Sequence, residues 1–255
     1  FVYNYTLNNF KNEGDIFEIG TFAGAITQSL ALGSLDFNPN IYTVDKFIWD
    51  NDKKKKFTNL NFEVDDDFFP YVNNKLSHLK NIKIFKCNFT KIKPERKIEL
   101  MFIDAPKRMK YVIELIKIFS SFWIENRTKL LFEDYNQFLS YELPATLFPI
   151  TKKFKFSSDT SGIVLAEVLN NKINNSDYSK MDIRKWNAEE IVSNWNEIIE
   201  VGDNKNFLEK DISIFMHLFD NGFMSDAISF SKERSINFEK YKHKNKFNER
   251  YLNKL

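Results

Sequence analysis

The chain contains little glycine, a single cysteine and no long apolar run. It has only seven glycines in 255 residues, and no segment has the pattern G-x-x-x-x-G-K-S/T, so phosphate binding by a P-loop is excluded. With Cys87 as its one cysteine, it has neither a disulfide framework nor a thiolate metal cluster, as expected for a reducing setting. No apolar run approaches the roughly 18 residues of a membrane span, and residues 1–15 lack a signal-peptide core. We therefore expect a cytoplasmic protein that makes no membrane contact.

The excess of one charge sign is also small. The sequence has 37 Lys and Arg against 35 Asp and Glu, a formal net charge of +2, whereas nucleic-acid-binding domains usually carry a marked basic excess. The lysine run at 53–56 and the aspartate run at 65–67 are predicted to be a solvated loop and a helix N-terminus. We therefore expect no nucleic-acid partner.

Apolar residues, in contrast, are abundant and follow an alternating β and α pattern. They make up 43% of the chain and include 27 phenylalanines, enough for a large core. Strand-like segments alternate with helical patterns, and a hairpin with a turn at Ser161 and Gly162 follows. The predicted strands are 15–19, 41–45, 82–88, 98–104 and 130–134. This alternation predicts a doubly wound α/β fold with a mainly parallel sheet covered by helices on both faces.

The composition changes after the hairpin. The predicted division is a sheet domain over residues 1–169, an Asn- and Ser-rich linker over 170–180 and an α-helical appendage over 181–255. In the appendage, Asn187 and Glu190 form a capping-box pattern, and Gly222 is a helix C-terminal signal. We expect the C-terminal helices to pack on the sheet domain, on a protein partner or on a second copy of the chain.

The most informative segment is 15–27, with the sequence DIFEIGTFAGAIT. An apolar strand reaches the carboxylate of Glu18, and Gly20 and Gly24 then open a helix. Glycine lets the backbone turn sharply and lets a ligand approach where a Cβ would collide, so Gly24→Val is expected to exclude a ligand. Phe22 stands where a dinucleotide fingerprint has its middle glycine, which disfavours pyrophosphate. A glycine-containing turn of an unrelated α/β protein is the alternative interpretation.

Polar residues recur where the predicted strands end. They are Glu18, Asp45, Asn88, Asp104, Glu133 and Asp134. Ligands of open parallel sheets bind at the carboxyl ends of the strands, so this row of side chains is typical of a binding site. Helix capping by Asp and Asn is the alternative for part of the row.

Two of these segments resemble a known family. The spacing Glu-x-Gly-x-x-x-Gly resembles the first motif of class I S-adenosylmethionine (SAM)-dependent methyltransferases, in particular the catechol, caffeoyl-CoA and macrocin-type O-methyltransferases. Residues 103–111, IDAPKRMKY, resemble the Asp-x-x-Lys-x-x-x-Tyr segment of the catechol and caffeoyl-CoA enzymes. The resemblance covers residues 15–169. It implies a Rossmann-like methyltransferase fold with a seven-stranded sheet.

The resemblance also implies a cofactor site for SAM. It places Gly20 and Gly24 against the methionine moiety, Glu18 in the hydrogen-bond network of the motif, Asp45 on the ribose hydroxyls and Asn88 beside the adenine. Because Ile26 replaces a polar residue common in relatives, any hydroxyl would come from Thr27. The predicted cofactor residues are Glu18, Gly20, Phe22, Gly24, Thr27, Asp45, Asn88 and Asp104.

A metal site and a base follow from the same resemblance. Asp104 would bind a divalent cation such as Mg²⁺, completed by Glu133 and Asp134, and Lys107 would act as the catalytic base. Macrocin-type enzymes have a comparable acidic pair but usually carry His at the Lys107 position. Helix capping by the acidic pair and a solvated role for Lys107 are the alternatives.

The sequence therefore predicts a Mg²⁺-assisted, SAM-dependent O-methyltransferase acting on a small hydroxylated acceptor such as a sugar or glycan precursor. A methyltransferase-like fold that serves as a binding or scaffold module is one alternative, disfavoured by the intact row of carboxylates. A nicotinamide-dependent (NAD) enzyme is another, disfavoured by Phe22 in the first turn.

Overall fold

A computed structural model gives the fold of the chain. It describes residues 1–105, 107–158, 163–201, 209–241, 247 and 250–251. The predicted turn at Ser161 and Gly162 lies outside these residues. Within the described part, no helix has the length and apolar character needed to cross a membrane.

Seven strands form one sheet. They are β1 (Asp15–Ile19), β2 (Ile41–Asp45), β3 (Ile82–Lys86), β4 (Ile98–Ile103), β5 (Lys129–Phe132), β6 (Phe154–Ser158) and β7 (Val164–Val168). Their order is β3-β2-β1-β4-β5-β7-β6, and the pairings among the first five are all parallel. Because β1 and β4 are neighbours, the strand order reverses beside β1, and the carboxyl end of β1 lies at this switch point. The predicted Rossmann-like methyltransferase fold is confirmed.

Ten α-helices accompany the strands in the described part of the chain. They are α1 (Val2–Asn9), α2 (Ala25–Gly33), α3 (Asn51–Lys56), α4 (Phe69–Leu76), α5 (Met109–Phe119), α6 (Glu142–Leu147), α7 (Asn175–Lys180), α8 (Ala188–Val201), α9 (Lys210–Asp220) and α10 (Met224–Glu233). The segment expected to be a linker contains α7, whose N-terminus has a capping box between Asn174 and Asp177. The predicted capping box of Asn187 and Glu190 is present before α8.

The chain divides into two compact units. Unit 1 comprises Phe1–Pro106, Glu114–Phe132 and Ala166–Lys172, and unit 2 comprises Lys107–Ile113, Glu133–Leu165 and Ile173–Leu255. These boundaries differ from the predicted sheet domain of 1–169, because two segments within that range belong to unit 2. The core of unit 1 includes the buried strands β1 and β4. The core of unit 2 contains Trp195, Phe215 and Phe247, all fully buried.

Unit 2 also buries a histidine. His217 has no exposed surface, and its Nδ1 atom accepts a hydrogen bond of 3.1 Å from Trp195 Nε1. Burial lowers the pKa of His217 from 6.5 to about 4, because the charged imidazolium is poorly solvated there. The imidazole is therefore neutral at neutral pH.

This buried histidine is expected to make unit 2 sensitive to acid. The unfolded chain binds the proton at higher pH than the folded one, so the stability is complete above pH 6.5 and is lost as the pH falls towards 4. The loss is about 3 kcal/mol. His217→Asn keeps an acceptor for Trp195 and should remove this pH dependence in urea unfolding followed by tryptophan fluorescence. The exposed His78 provides the control His78→Asn, and an unchanged acid response in His217→Asn would contradict the assignment.

Candidate active site

The site begins in the turn between β1 and α2. Gly20 has φ +98°, Phe22 has φ +43° and Gly24, which precedes the first residue of α2, has φ +77°. Left-handed backbone is readily adopted by glycine and costs other residues free energy. The two glycines of the motif are thus explained by the path of the chain, whereas Phe22 adopts an unfavourable conformation that its surroundings must stabilise.

The two glycines also lie close to protein atoms. A Cβ on Gly20 would be 3.1 Å from the Cβ of Asp104, and one on Gly24 would be 3.1 Å from a methyl carbon of Leu76 in α4. Exclusion of a ligand by Gly24→Val therefore stays a prediction, and a second effect would accompany it. The substitution would also require Leu76 to shift by a few tenths of an ångström and would strain a left-handed backbone.

Glu18 is the second-last residue of β1, and its side chain has no exposed surface. Its Oε2 atom accepts a hydrogen bond of 2.5 Å from the Thr27 hydroxyl and another from the Thr43 hydroxyl. Thr43 in turn shares a hydrogen bond of 2.5 Å with Thr21. The hydroxyl of Thr27 is thus directed at Glu18. Sequence reasoning missed Thr21 and Thr43; the polar Thr43 within the apolar strand β2 was the available signal.

The second carboxylate oxygen of Glu18 does not share the hydrogen bonds of the first. Oε1 is buried and has no hydrogen-bond partner among the described residues. Burial is the main cause that raises the pKa of Glu18 from 4.5 to about 8, while the two threonine hydroxyls lower it and the charges of Asp45 and Asp104 raise it further. A buried acceptor without a partner is costly, so a donor from a ligand would be stabilising here.

Asp45 connects two loops. One of its oxygens accepts the backbone N–H of Phe22 at 3.0 Å, and the other accepts the backbone N–H of Phe47 at 2.9 Å. Each carboxylate oxygen has two lone pairs, so both keep capacity for a further donor such as a ligand hydroxyl. Asp45 therefore fixes the first turn and presents acceptors at the end of β2.

Aromatic side chains surround Phe22. Its ring lies 4.8 Å from the ring of Phe57, 6.1 Å from that of Trp49 and 6.2 Å from that of Phe68. We call Phe22, Trp49, Phe57, Phe62 and Phe68 the aromatic cluster. Ring contacts at these distances stabilise by about 0.5–1.5 kcal/mol each beyond area burial, which offsets the strained backbone of Phe22. The cluster was not recognised from the sequence, although aromatic residues recur between 47 and 71.

Two residues of α4 also hold the turn. The Lys75 ammonium donates a hydrogen bond of 2.9 Å to the carbonyl oxygen of Ala23, and Leu76 packs beside Gly24. Asn88, predicted beside the adenine, caps a short 3-10 helix by accepting the backbone N–H of Thr90 at 3.1 Å. Its adenine contact stays a prediction.

The predicted metal site finds no support in this structure. Among the described residues, no group of three or more His, Cys, Asp or Glu side chains could hold a metal ion. The three predicted ligands are divided between the units, Asp104 in unit 1 and Glu133 and Asp134 in unit 2. Strand β5 ends at Phe132, before the acidic pair, and the Lys107 ammonium donates to the carbonyl oxygen of Glu133 and lies 3.8 Å from Asp134. The Lys107 ammonium offsets the charge of Asp134 alone, and the metal site stays a prediction.

Comparisons with known proteins find similarity to solved structures alone. No protein-family model and no curated protein sequence matches the chain. Among solved structures, an rRNA methylase from Streptococcus thermophilus is 12% identical, with a TM-score of 0.42 over 66% of this chain and 94% of that one. The N-methyltransferase NodS from Bradyrhizobium japonicum, in complex with S-adenosyl-L-homocysteine, is 11% identical, with a TM-score of 0.41 over 65% and 81%.

A third solved structure, a protein assigned as a caffeoyl-CoA O-methyltransferase from Staphylococcus aureus, is 15% identical, with a TM-score of 0.42 over 62% of this chain and 77% of that one. At these identities and TM-scores, the three proteins do not indicate an activity, an acceptor or a metal for this chain. A proposal about the activity of this chain must therefore rest on the geometry around the β1–α2 turn.

Proposed function

We propose that this chain is a SAM-dependent methyltransferase that transfers a methyl group to a hydroxyl of a small acceptor. One observation carries the proposal. The carboxylates of Glu18, Asp45 and Asp104, from the ends of the three adjacent strands β1, β2 and β4, surround a single glycine turn. Burial is the main cause of the raised pKa of Glu18, and the charges of Asp45 and Asp104 raise it further.

Charge decides which nucleotide cofactor suits this turn. Asp45 and Asp104, and Glu18 when it is ionised, repel the pyrophosphate of NAD, whereas SAM carries a sulfonium and an ammonium cation against one carboxylate. The cationic groups of SAM can pair with these carboxylates, and its ribose hydroxyls can donate hydrogen bonds to them. The turn therefore favours SAM over NAD.

The Oε1 atom of Glu18 gives a second indication that the turn fits SAM. Oε1 is buried without a partner, and an ammonium donor would satisfy it and favour the ionised carboxylate. Asp45 keeps acceptor capacity for ribose hydroxyls at the end of β2. The residues present thus fit the methionine and ribose parts of SAM.

The chain's own residues would act mainly by positioning. SAM, when bound, supplies an electrophilic methyl group on a sulfonium. Glu18 and Asp45 would hold the cofactor through hydrogen bonds, and the aromatic cluster would keep the turn in its bound conformation. Lys107 contacts the Glu133 carbonyl and Asp134, so its role as base for the acceptor proton stays a prediction. O-methyl transfer is supported by the resemblance of residues 103–111 alone, and Mg²⁺ is left out of the proposal.

Titration calorimetry with SAM and NAD tests the proposal. We expect SAM to bind and NAD to show no binding. Asp45→Asn should weaken SAM binding about tenfold or more, because it removes a charged acceptor of two backbone N–H groups. Asp67→Asn is the matched control, since Asp67 also accepts the N–H two residues ahead but is exposed and pairs with Lys86. It should leave the affinity unchanged.

Other outcomes discriminate the alternatives. NAD binding without SAM binding would replace the proposal by the nicotinamide enzyme. SAM binding without release of S-adenosylhomocysteine, over a panel of hydroxylated acceptors, would favour the binding module. A folded chain that binds neither ligand would refute the proposal.

A further inference from the structure

Unit 2 contains a cavity of about 530 Å³ with a basic rim. Three cationic side chains line it, Lys107, Arg108 and Arg250, and none of the other described residues of the lining is acidic. We call it the basic cavity. Its volume lies in the range of small-molecule sites.

The rest of the lining is suited to an amphipathic ligand. Gln137 and Ser140 provide hydrogen-bonding groups, and the partly exposed Leu139 provides apolar surface. Apolar surface with a few polar groups is typical of sites that hold a small molecule in one orientation.

Partly buried carboxylates hold the two guanidinium groups at the rim. Arg108 pairs with Glu142 at 2.5 Å, and the side chains are 52% and 17% exposed. Arg250 pairs with Asp220 at 2.8 Å, with 37% and 13% exposed. In both pairs the acid is the more buried member, so the cation is the charge presented to solvent.

The carboxylates of these two ion pairs also accept hydrogen bonds from other groups. Glu142 also accepts the backbone N–H of Met109 at 2.8 Å. Asp220 also accepts the hydroxyls of Tyr141 at 2.6 Å and Tyr251 at 2.7 Å. The guanidinium groups are therefore oriented before any ligand arrives, which lowers the entropy cost of binding.

Each guanidinium keeps donors beyond its ion pair. Arginine has five N–H donors; in contacts between described residues, Arg108 directs one nitrogen at its acid and Arg250 directs two. Two preoriented guanidinium groups and an ammonium match the charge and the several oxygens of a phosphate group better than a single carboxylate.

We propose that the basic cavity binds the phosphate group of a small phosphorylated molecule. This inference goes beyond the proposed function and does not depend on it. A phosphorylated sugar combines the required groups: a phosphate for the cations, hydroxyls for Gln137 and Ser140, and an apolar ring face for Leu139. The cavity volume and the net charge of +2 favour this ligand over an extended RNA chain.

Calorimetry on the full chain, without SAM, tests the cavity. The probe is glucose 6-phosphate, compared with glucose and with glucuronate. We expect glucose 6-phosphate to bind, glucuronate to bind at least tenfold more weakly and glucose to show no binding. Arg108→Gln should weaken the binding of glucose 6-phosphate about tenfold, because one charge-assisted contact is lost.

Two further variants complete the design. Arg250→Lys keeps the charge near Asp220 but loses the planar fork, so it should weaken binding several-fold while the melting temperature shows that the unit stays folded. Arg184→Gln is the matched control, because Arg184 also pairs with an aspartate of unit 2, Asp182, but lies outside the lining. It should leave the affinity unchanged.

The outcomes separate this inference from the proposed function. SAM binding by a chain that does not bind glucose 6-phosphate overturns the inference and leaves the methyltransferase proposal intact. Glucose 6-phosphate binding without SAM binding supports the phosphate site and counts against the methyltransferase proposal. Equal effects of Arg108→Gln and Arg184→Gln, or tighter binding of a single-stranded RNA oligomer than of glucose 6-phosphate, would also overturn it.

Discussion

Gly20→Val is expected to abolish SAM binding. At φ +98° a β-branched residue is strained by about 1–3 kcal/mol. Its Cβ would also lie 3.1 Å from the Cβ of Asp104 and 3.4 Å from the backbone nitrogen of Ala105. The turn can accept valine only by moving away from β4, which separates the carboxylates that would hold the cofactor. Calorimetry should show at least a hundredfold weaker affinity for SAM.

The control for this variant is Gly222→Val. Gly222 has φ +87° and no atom within 4 Å of a built Cβ, so valine there brings backbone strain of similar size without a steric contact. It should lower the melting temperature of unit 2 and leave SAM affinity unchanged. Unaltered SAM binding by a folded Gly20→Val chain would show that the turn does not hold the cofactor.

Glu18→Gln is expected to stabilise unit 1 at alkaline pH. The pKa of Glu18 is about 8 in the folded chain against 4.5 as its ordinary value. The folded state therefore binds the proton more tightly, so the stability is complete below pH 4.5 and is lost as the pH rises through 8. A shift of this size corresponds to a few kcal/mol. Glutamine has the same shape and no charge, so urea unfolding of Glu18→Gln should lack this dependence.

Thr27→Val provides the comparison for Glu18. The hydroxyl of Thr27 lowers the pKa of Glu18, so its removal should move the loss of stability of the wild-type chain to higher pH. The ligand supplies a further check, since an ammonium near Oε1 favours the ionised carboxylate and SAM affinity should increase between pH 6 and pH 8. A wild-type chain with the same unfolding free energy at pH 5 and pH 9 would contradict the assignment.

The sequence predicts much of unit 1. The strands β1, β2 and β4 are short apolar runs that end in Glu18, Asp45 and Asp104, and periodicity alone identifies them. Their order in the sheet was not predicted from the sequence and is given by the structure. The glycines of the first turn follow from its backbone, since Gly20 and Gly24 have positive φ angles.

What the sequence leaves open depends on contacts between distant residues. Nothing local to Phe22 shows that it packs on Trp49 and Phe68, or that Asp45 accepts its N–H group. For Glu133 and Asp134, in contrast, the local pattern predicted a site that the contacts in the structure do not support. A strand ending in carboxylates resembles a metal ligand set, but the lysine that contacts Glu133 and lies near Asp134 comes from 26 residues earlier in the chain.

The segment after the sheet shows another limit. Asn- and Ser-rich composition predicts a linker, yet the same residue types cap helices. Asn174 accepts the backbone N–H groups of Ser176 and Asp177, and α7 begins there. Composition cannot separate these two outcomes, because both use the short polar side chain to satisfy backbone donors.

The contacts of the aromatic cluster and of Asp45 bear on how a ligand could leave. The amides of Phe22 and Phe47 share one carboxylate, and Lys75 and Leu76 hold the same turn from α4. Residues 20–24 therefore cannot detach without disturbing residues 47–76, and the two segments form one cooperative unit of local unfolding. If that opening is the exit route, the residence time of a bound molecule is set by aromatic packing far along the chain as much as by the groups that touch it.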